Sequence, residues 1–153
     1  MAAPQEGVAV LIPMIVGVAT IVCTIVVHAL ALATVVHYVR HEQKIGRAGV
    51  RFWSDVTIVM EAALLALAAH LVEIAVWAWV FSLCGSIPDF GAAFYSSAAN
   101  YTTLGDGVLM SGSWKLLRPL EAADGMLMFG VSTGMLFAVI QRLVQTRFGN
   151  GHT

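Results

Sequence analysis

The sequence has few charged residues for its length. Only 11% of its 153 residues are Asp, Glu, Lys or Arg, and 59% are hydrophobic, whereas a soluble domain carries about 25% charged residues. The eight Lys and Arg residues are scattered and the formal net charge is −1, which argues against a nucleic-acid partner. Because the hydrophobic residues form long runs, the composition excludes an ordinary soluble domain and indicates a membrane protein.

The chain has only two cysteines, and its first seven residues include no basic residue. Cys23 and Cys84 lack the spacing of a metal site and offer no disulfide framework. The first residues, MAAPQEG, contain no basic residue, and the apolar run after them is too long for the core of a signal peptide. We therefore expect no cleaved signal peptide.

Three apolar runs are long enough to span a bilayer, which requires about 20 residues. They extend from about residue 7 to 39, from 56 to 83 and from 119 to 144. The linker after the first run holds Arg40, Lys44, Arg47 and Arg51, half of the eight basic residues. By the positive-inside rule this linker is cytoplasmic. We predict a multi-pass protein of the cell membrane with its N-terminus outside and its C-terminus in the cytoplasm.

A short, broken segment lies between the second and third spans. Pro88 and Asp89 are typical of a helix start, and the helix predicted over residues 90–102 is too short to cross a bilayer. TTLGDG follows at once. Irregular backbone at membrane depth is tolerated only inside protein or beside water, so we predict a re-entrant loop. Its glycines would let successive carbonyls face a cation, and one chain would supply one wall of a symmetric pore.

The sequence Thr103-Leu104-Gly105-Asp106-Gly107, placed after a short helix and before a span, resembles the selectivity filter of tetrameric, potassium-channel-like cation channels. The potassium filter is TVGYG, and here Leu replaces Val and Asp replaces Tyr. The substitution is most similar to the filter TVGDG of bacterial nonselective sodium–potassium channels (NaK). The resemblance covers about residues 56–146, and the first span has no counterpart in the two-span members.

This resemblance implies a homotetramer and a role for each filter residue. Thr103 would supply a hydroxyl and a carbonyl at the inner end, and Leu104 and Gly105 would supply carbonyls. Asp106 and Gly107 would form the outer mouth, where the nonselective relatives also accept a Ca²⁺ ion. Four Asp106 side chains would encircle or back that mouth.

Two departures from potassium filters argue against strict potassium selectivity. Val108 stands where many of them have an acid, and the Tyr that braces the filter from behind is missing. The predicted function is therefore passive conduction of monovalent cations, K⁺ and Na⁺, with weak discrimination. Alternatives are a potassium-selective channel with a variant filter and a non-conducting, modulatory subunit with a pore-like fold.

The predicted fold is an all-α membrane protein with three transmembrane helices, a re-entrant pore helix and a filter. Residues 1–55 comprise the extra helix and the basic linker, residues 56–146 the pore module, and residues 147–153 a short cytoplasmic tail. Trp77, Trp79 and Phe81 are expected to form an aromatic belt at the end of the second span.

The last span offers residues for filter support and for gating. Glu121 and Asp124 either stabilise the helix N-terminus or support the filter from behind, together with Thr102. Farther along, small and polar residues are candidates for a hinge, a helix contact or a wet cavity: Gly130, Ser132, Thr133 and Gly134. Met135, Phe137 and Ile140 are candidates for a hydrophobic constriction or for core and lipid-facing positions.

Ionisable residues occur inside the first two spans, where they are usually paired or functional. His28 and Glu61 are expected at comparable depth, so that a contact between them would dock the first helix. His70 and Glu73 lie three residues apart on one helix face. These residues are either hydrogen-bonded structural elements or a pH-sensitive device.

An enzymatic function is not expected, and neither is a cofactor beyond the permeant ions and Ca²⁺. His37 and His41 form an HxxxH motif, but membrane hydroxylases and desaturases use several histidine boxes and this chain has five histidines. The expected partners are three further copies of the chain, membrane lipids and monovalent cations.

Overall fold

The computed structural model describes residues 10–85, 87–107 and 114–149. They form four α-helices: α1 (Leu11–Lys44), α2 (Phe52–Leu83), α3 (Phe90–Tyr101) and α4 (Leu117–Gly149). The all-helical prediction is confirmed for these residues. Val108, the residues before position 10 and the end of the predicted tail, including His152, lie outside the described residues.

Three of the helices are long and apolar enough to cross a membrane. They contain 34, 32 and 33 residues, which at 1.5 Å per residue corresponds to about 48–51 Å. This exceeds the hydrocarbon thickness of about 30 Å, so each helix has length left over for tilt or for extension into the headgroups. The chain therefore has the make-up of a multi-pass membrane protein.

The last long helix begins earlier than the sequence predicts. The third apolar run begins at about Pro119, but α4 begins two residues before it, at Leu117. Proline is tolerated there because the amides of a first turn have no partner within the helix. As a result Glu121 lies beyond the first turn of α4, which contains no acidic residue. Stabilisation of the first turn by Glu121 is therefore not what the structure shows.

Contacts divide the chain into two compact units. The loop unit contains the described residues of Met1–Val26 and Val72–Leu127, and the linker unit contains those of Val27–Leu71 and Met128–Thr153. Each long helix contributes one part to each unit. The units thus cut across the predicted division into an extra helix and a pore module, which stays a prediction.

The linker unit has an apolar core that is closed by polar contacts. Its buried residues come from α1, α2, α4 and the turn between α1 and α2: Val35, Val39, Ala48, Ile58, Ala62, Val139 and Leu143. Asp55 accepts hydrogen bonds from the backbone amide of Gly49 and from Arg147, both at 2.7 Å. This carboxylate therefore ties the turn to the start of α2 and to the end of α4.

A buried polar cluster joins all three helices of the linker unit. The Ser132 hydroxyl lies 3.1 Å from Nε2 of His28 and 3.0 Å from Nε2 of His70, and the ring centroids of the two histidines are 5.2 Å apart. Ser132 was a candidate for a wet cavity, and here its hydroxyl is buried against these rings instead.

The predicted contact between His28 and Glu61 is wrong. Glu61 accepts a hydrogen bond from the Tyr38 hydroxyl. The reason is distance from the linker between α1 and α2. His28 lies 16 residues before the end of α1 at Lys44, about 24 Å along the helix. His70 lies 18 residues after the start of α2 at Phe52, about 27 Å along the helix. Glu61 lies only nine residues from Phe52, so it meets a residue nearer the linker.

Candidate functional site

The short helix α3 begins with a well-formed N-cap. Asp89 has extended backbone angles (φ −80°, ψ 123°), and its side chain accepts a hydrogen bond from the amide of Ala92 at 2.8 Å. This satisfies one of the amides that a helix start leaves unpaired. With 12 residues, α3 is about 18 Å long and therefore cannot cross a bilayer of about 30 Å.

At the end of α3, backbone amides of the glycine-rich loop donate hydrogen bonds to carbonyls of the last turn of the helix. The amide of Thr103 donates to the carbonyl of Asn100 at 2.8 Å, and the amide of Gly105 donates to the carbonyl of Ala99 at 2.9 Å. The Thr102 hydroxyl donates to the carbonyl of Ala98 at 2.8 Å. Thr102 thus closes the helix end, and the loop amides are directed towards α3.

Every second residue of the loop has a positive φ. The values are 62° at Thr103, 71° at Gly105 and 70° at Gly107. Glycine adopts this region freely, but a β-branched threonine there is an outlier of a kind that concentrates at functional sites. Positive φ at alternate residues departs from an ordinary extended strand, in which successive residues point to opposite sides.

The loop backbone from Thr103 to Gly105 presents carbonyls that no described amide occupies. Backbone amides of the described residues donate to none of the carbonyls of Thr103, Leu104 and Gly105. All three residues are exposed, and Leu104 reaches 81%. Backbone carbonyl oxygens without an amide partner are ligands suited to a dehydrated cation.

The Asp106 carboxylate does not extend into the exposed face of the loop. It forms an ion pair with Arg118 of α4, and the Asp106 side chain is only 1% exposed. Arg118 also lies 3.3 Å from the Ser96 hydroxyl of α3. The carboxylate is therefore directed towards α4.

Glu121 lies behind α3 and is completely buried. Its carboxyl group contacts the Ser97 hydroxyl, which also lies 2.8 Å from the carbonyl of Ile74 in α2. Ser97 has one hydrogen for two oxygen partners. The Ser97 hydroxyl therefore lies between the Glu121 carboxyl group and the backbone of α2. Glu121 thereby connects α4, α3 and α2.

Two replacements of Glu121 separate its hydrogen bonding from its charge. Glu121→Gln keeps a hydrogen-bonding side chain at the same place and is expected to preserve stability. Glu121→Ala leaves Ser97 without this partner, which costs about 1–3 kcal/mol for a buried polar group, and should destabilise the loop. Thermal unfolding measures both effects. Equal behaviour of the two variants would contradict the proposed support by Glu121.

Asp124 and Glu73 complete the polar layer within the loop unit. Asp124 Oδ2 accepts hydrogen bonds from the Trp77 indole and from the Thr24 hydroxyl, both at 2.8 Å. The Tyr101 hydroxyl donates to Glu73, and burial together with this contact raises the pKa of Tyr101. The phenol therefore remains a donor at physiological pH. The last residue of α3 is anchored in this way to α2.

Sequence reasoning missed several of these partners. Trp77 and Phe81 were assigned to an aromatic belt, but both are fully buried, and only Trp79 of the three is exposed. A signal was present, because Glu73, Trp77 and Phe81 recur every four residues and therefore share one helix face. Arg118 gave no comparable signal, since its pairing depends on a residue of the preceding loop.

The other inner-helix candidates lie in the linker unit and are open to their surroundings. A Cβ atom at Gly130 or Gly134 would meet nothing within 4 Å, and the Thr133 hydroxyl donates to the carbonyl of Phe129 at 2.8 Å. Phe137 and Ile140 are exposed. These features are compatible with contacts to other molecules, and no described contact within the linker unit selects one of them as a hinge.

No protein-family model matches the chain, and comparisons with curated proteins and with solved structures give no match either.

Proposed function

We propose that this chain is a channel subunit that conducts monovalent cations passively through residues 103–107. The observation that carries the proposal is the alternation of positive φ at Thr103, Gly105 and Gly107. It supports a row of carbonyls on one side of the backbone at the end of a short helix. The C-terminal end of that helix carries partial negative charge, which also favours a cation.

The proposal includes assembly of four copies around an axis. One chain provides one wall of carbonyls, and a cation that loses its water needs ligands on several sides. Cyclic symmetry supplies identical walls, and fourfold symmetry follows the resemblance to tetrameric channels. The exposure of Thr103, Leu104 and Gly105 is compatible with a surface that further copies would cover.

We further propose weak discrimination between K⁺ and Na⁺. The position of the aromatic brace is occupied by Asp106, whose carboxylate contacts Arg118 instead. A Ca²⁺ ion at the outer mouth would be bound by backbone carbonyls near Gly107, with the Asp106 side chain behind them. The cytoplasmic position of the basic linker belongs to the same proposal.

The deciding experiment is a reversal-potential measurement on the purified chain in planar bilayers, with K⁺ on one side and Na⁺ on the other. We expect currents that reverse near zero voltage, with partial block by Ca²⁺. A strongly K⁺-shifted reversal would favour the potassium-selective alternative. Absence of current with every cation would favour a non-conducting subunit.

A pair of glycine substitutions tests whether the current passes through the loop. Gly105 and Gly85 have nearly the same φ, 71° and 67°, and a Cβ atom at either would meet nothing within 4 Å. Alanine therefore imposes a similar left-handed strain of about 1–2 kcal/mol at both sites. We expect Gly105→Ala to lower K⁺ flux at least tenfold and Gly85→Ala to retain it. Unchanged flux in Gly105→Ala would exclude this loop as the ion path.

A further inference from the structure

A groove in the linker unit lies between α1 and α4. It has a volume of about 180 Å³ and is largely apolar. Val36 and Val39 of α1 face Met135 and Ala138 of α4 across it. The volume suits a stretch of hydrocarbon chain better than a compact soluble ligand, because ligand pockets for drug-sized molecules hold roughly 300–1,000 Å³.

Two arginines lie at one end of this groove. Arg40 comes from α1 and Arg142 from α4, and both are exposed. Nε of Arg142 donates to the Gln43 side chain at 3.3 Å, which orients the guanidinium beside α1. Two cations from different helices thus converge where the apolar groove ends.

Among the described residues these two arginines lack an acidic partner, as does Arg51 outside the groove, whereas two other arginines of the same unit have one. Arg47 pairs with Glu42 at 3.3 Å and Arg147 pairs with Asp55 at 2.7 Å. Within the part of the chain that the structure describes, Arg40 and Arg142 form no ion pair with a carboxylate. Their charge is therefore available to an anion, and planar guanidinium groups bind phosphate oxygens in pairs.

From these contacts we propose that the groove binds an anionic glycerophospholipid. Its phosphate would lie between Arg40 and Arg142, and one acyl chain would follow Val36, Val39, Met135 and Ala138. Basic pockets between membrane helices are suited to anionic headgroups. Two uncompensated cations favour a lipid with net negative charge over a zwitterionic lipid, whose own cation neutralises its phosphate. The inference does not depend on ion conduction.

A second cavity in the same unit provides an internal comparison. It lies between α2 and α4, has a volume of about 280 Å³ and is also apolar. Its arginine, Arg147, is paired with Asp55. Hydrocarbon can occupy both cavities, but only the groove between α1 and α4 combines an apolar floor with unneutralised cations. Selectivity for anionic lipid is therefore assigned to this groove and not to the cavity between α2 and α4.

The test measures thermal unfolding of the detergent-solubilised protein during titration with dioleoyl phosphatidylglycerol or dioleoyl phosphatidylcholine. We expect phosphatidylglycerol to raise the melting temperature at concentrations at least tenfold below those needed for phosphatidylcholine. Arg40→Gln/Arg142→Gln should remove this tenfold difference. Ala138→Phe, which fills the groove and leaves the charge unchanged, should remove it as well. Inorganic phosphate alone should cause no shift.

The control removes two basic residues from the same linker region outside the groove, as Lys44→Gln/Arg51→Gln. It should keep the preference for phosphatidylglycerol. Equal loss in the control would show diffuse attraction to charge and would overturn the proposal. A wild-type protein that responds equally to both lipids, or an unaltered preference in Arg40→Gln/Arg142→Gln, would overturn it too.

Discussion

Replacing Arg118 by methionine is expected to destabilise the loop unit by about 3–5 kcal/mol, the cost of breaking a buried ion pair by removal of one partner. The Asp106 side chain is 1% exposed and its carboxylate faces Arg118. Without the guanidinium, a carboxylate in a poorly solvated place must turn towards the loop surface or bind a proton. Either change disturbs the backbone at the proposed outer mouth.

A double-mutant cycle distinguishes this pairing from a general need for positive charge. Asp106→Asn combined with Arg118→Met removes both charges, and we expect it to recover most of the stability lost in Arg118→Met. Lys115→Met removes an exposed basic residue three positions away and should change stability by less than about 0.5 kcal/mol. Thermal unfolding and liposome flux provide the measurements. Additive effects of the two single substitutions would refute the coupling.

Gly125→Ala is expected to cause a comparable or larger loss. A Cβ atom at this position would lie 2.0 Å from the carbonyl oxygen of Tyr101 and 2.9 Å from its carbonyl carbon. Backbone atoms cannot move aside as the end of a flexible side chain can. We expect destabilisation of about 2 kcal/mol or more, together with reduced flux, because Tyr101 lies two residues before Thr103.

Gly130→Ala is the matched control for this substitution. Both glycines lie in α4, and alanine is intrinsically better than glycine in a helix by about 1 kcal/mol. A Cβ atom at Gly130 meets nothing within 4 Å, so this variant should be as stable as the parent or more stable. If Gly125→Ala also unfolds at or above the parent temperature, the close approach of α4 to the end of α3 is contradicted.

The long helices were predictable because their apolar runs exceed what a bilayer requires. Their ends were not, since hydropathy marks the limits of the hydrocarbon whereas helical hydrogen bonds continue into polar sequence. α1 continues through Arg40 to Lys44, and α2 begins at Phe52 rather than at Val56. The sequence placed His28 and Glu61 at the same depth because these helix ends were misplaced. Residues of neighbouring helices meet when they lie at the same distance from the linker.

The loop was predictable from its glycines and from the helix start at Asp89. The positive φ of Thr103 was not predictable, because threonine by itself disfavours it. Hydrogen bonds from the amides of Thr103 and Gly105 to α3 accompany this conformation. The sequence singled out Glu121 and Asp124, and their support of a filter stays a prediction. The hydrogen bonds of Ser97 and Trp77 were not predicted, because they depend on which helices pack together and on which faces are in contact.

The buried contacts of Asp124 constrain the order in which the chain can be assembled. Thr24 precedes Asp124 by 100 residues and Trp77 precedes it by 47. During synthesis Thr24 and Trp77 are therefore made well before the residue that joins them. The loop unit can close only after α4 has been inserted. Completion of the proposed ion path is thus tied to the last membrane segment to be made, so an incomplete chain would lack a finished loop unit.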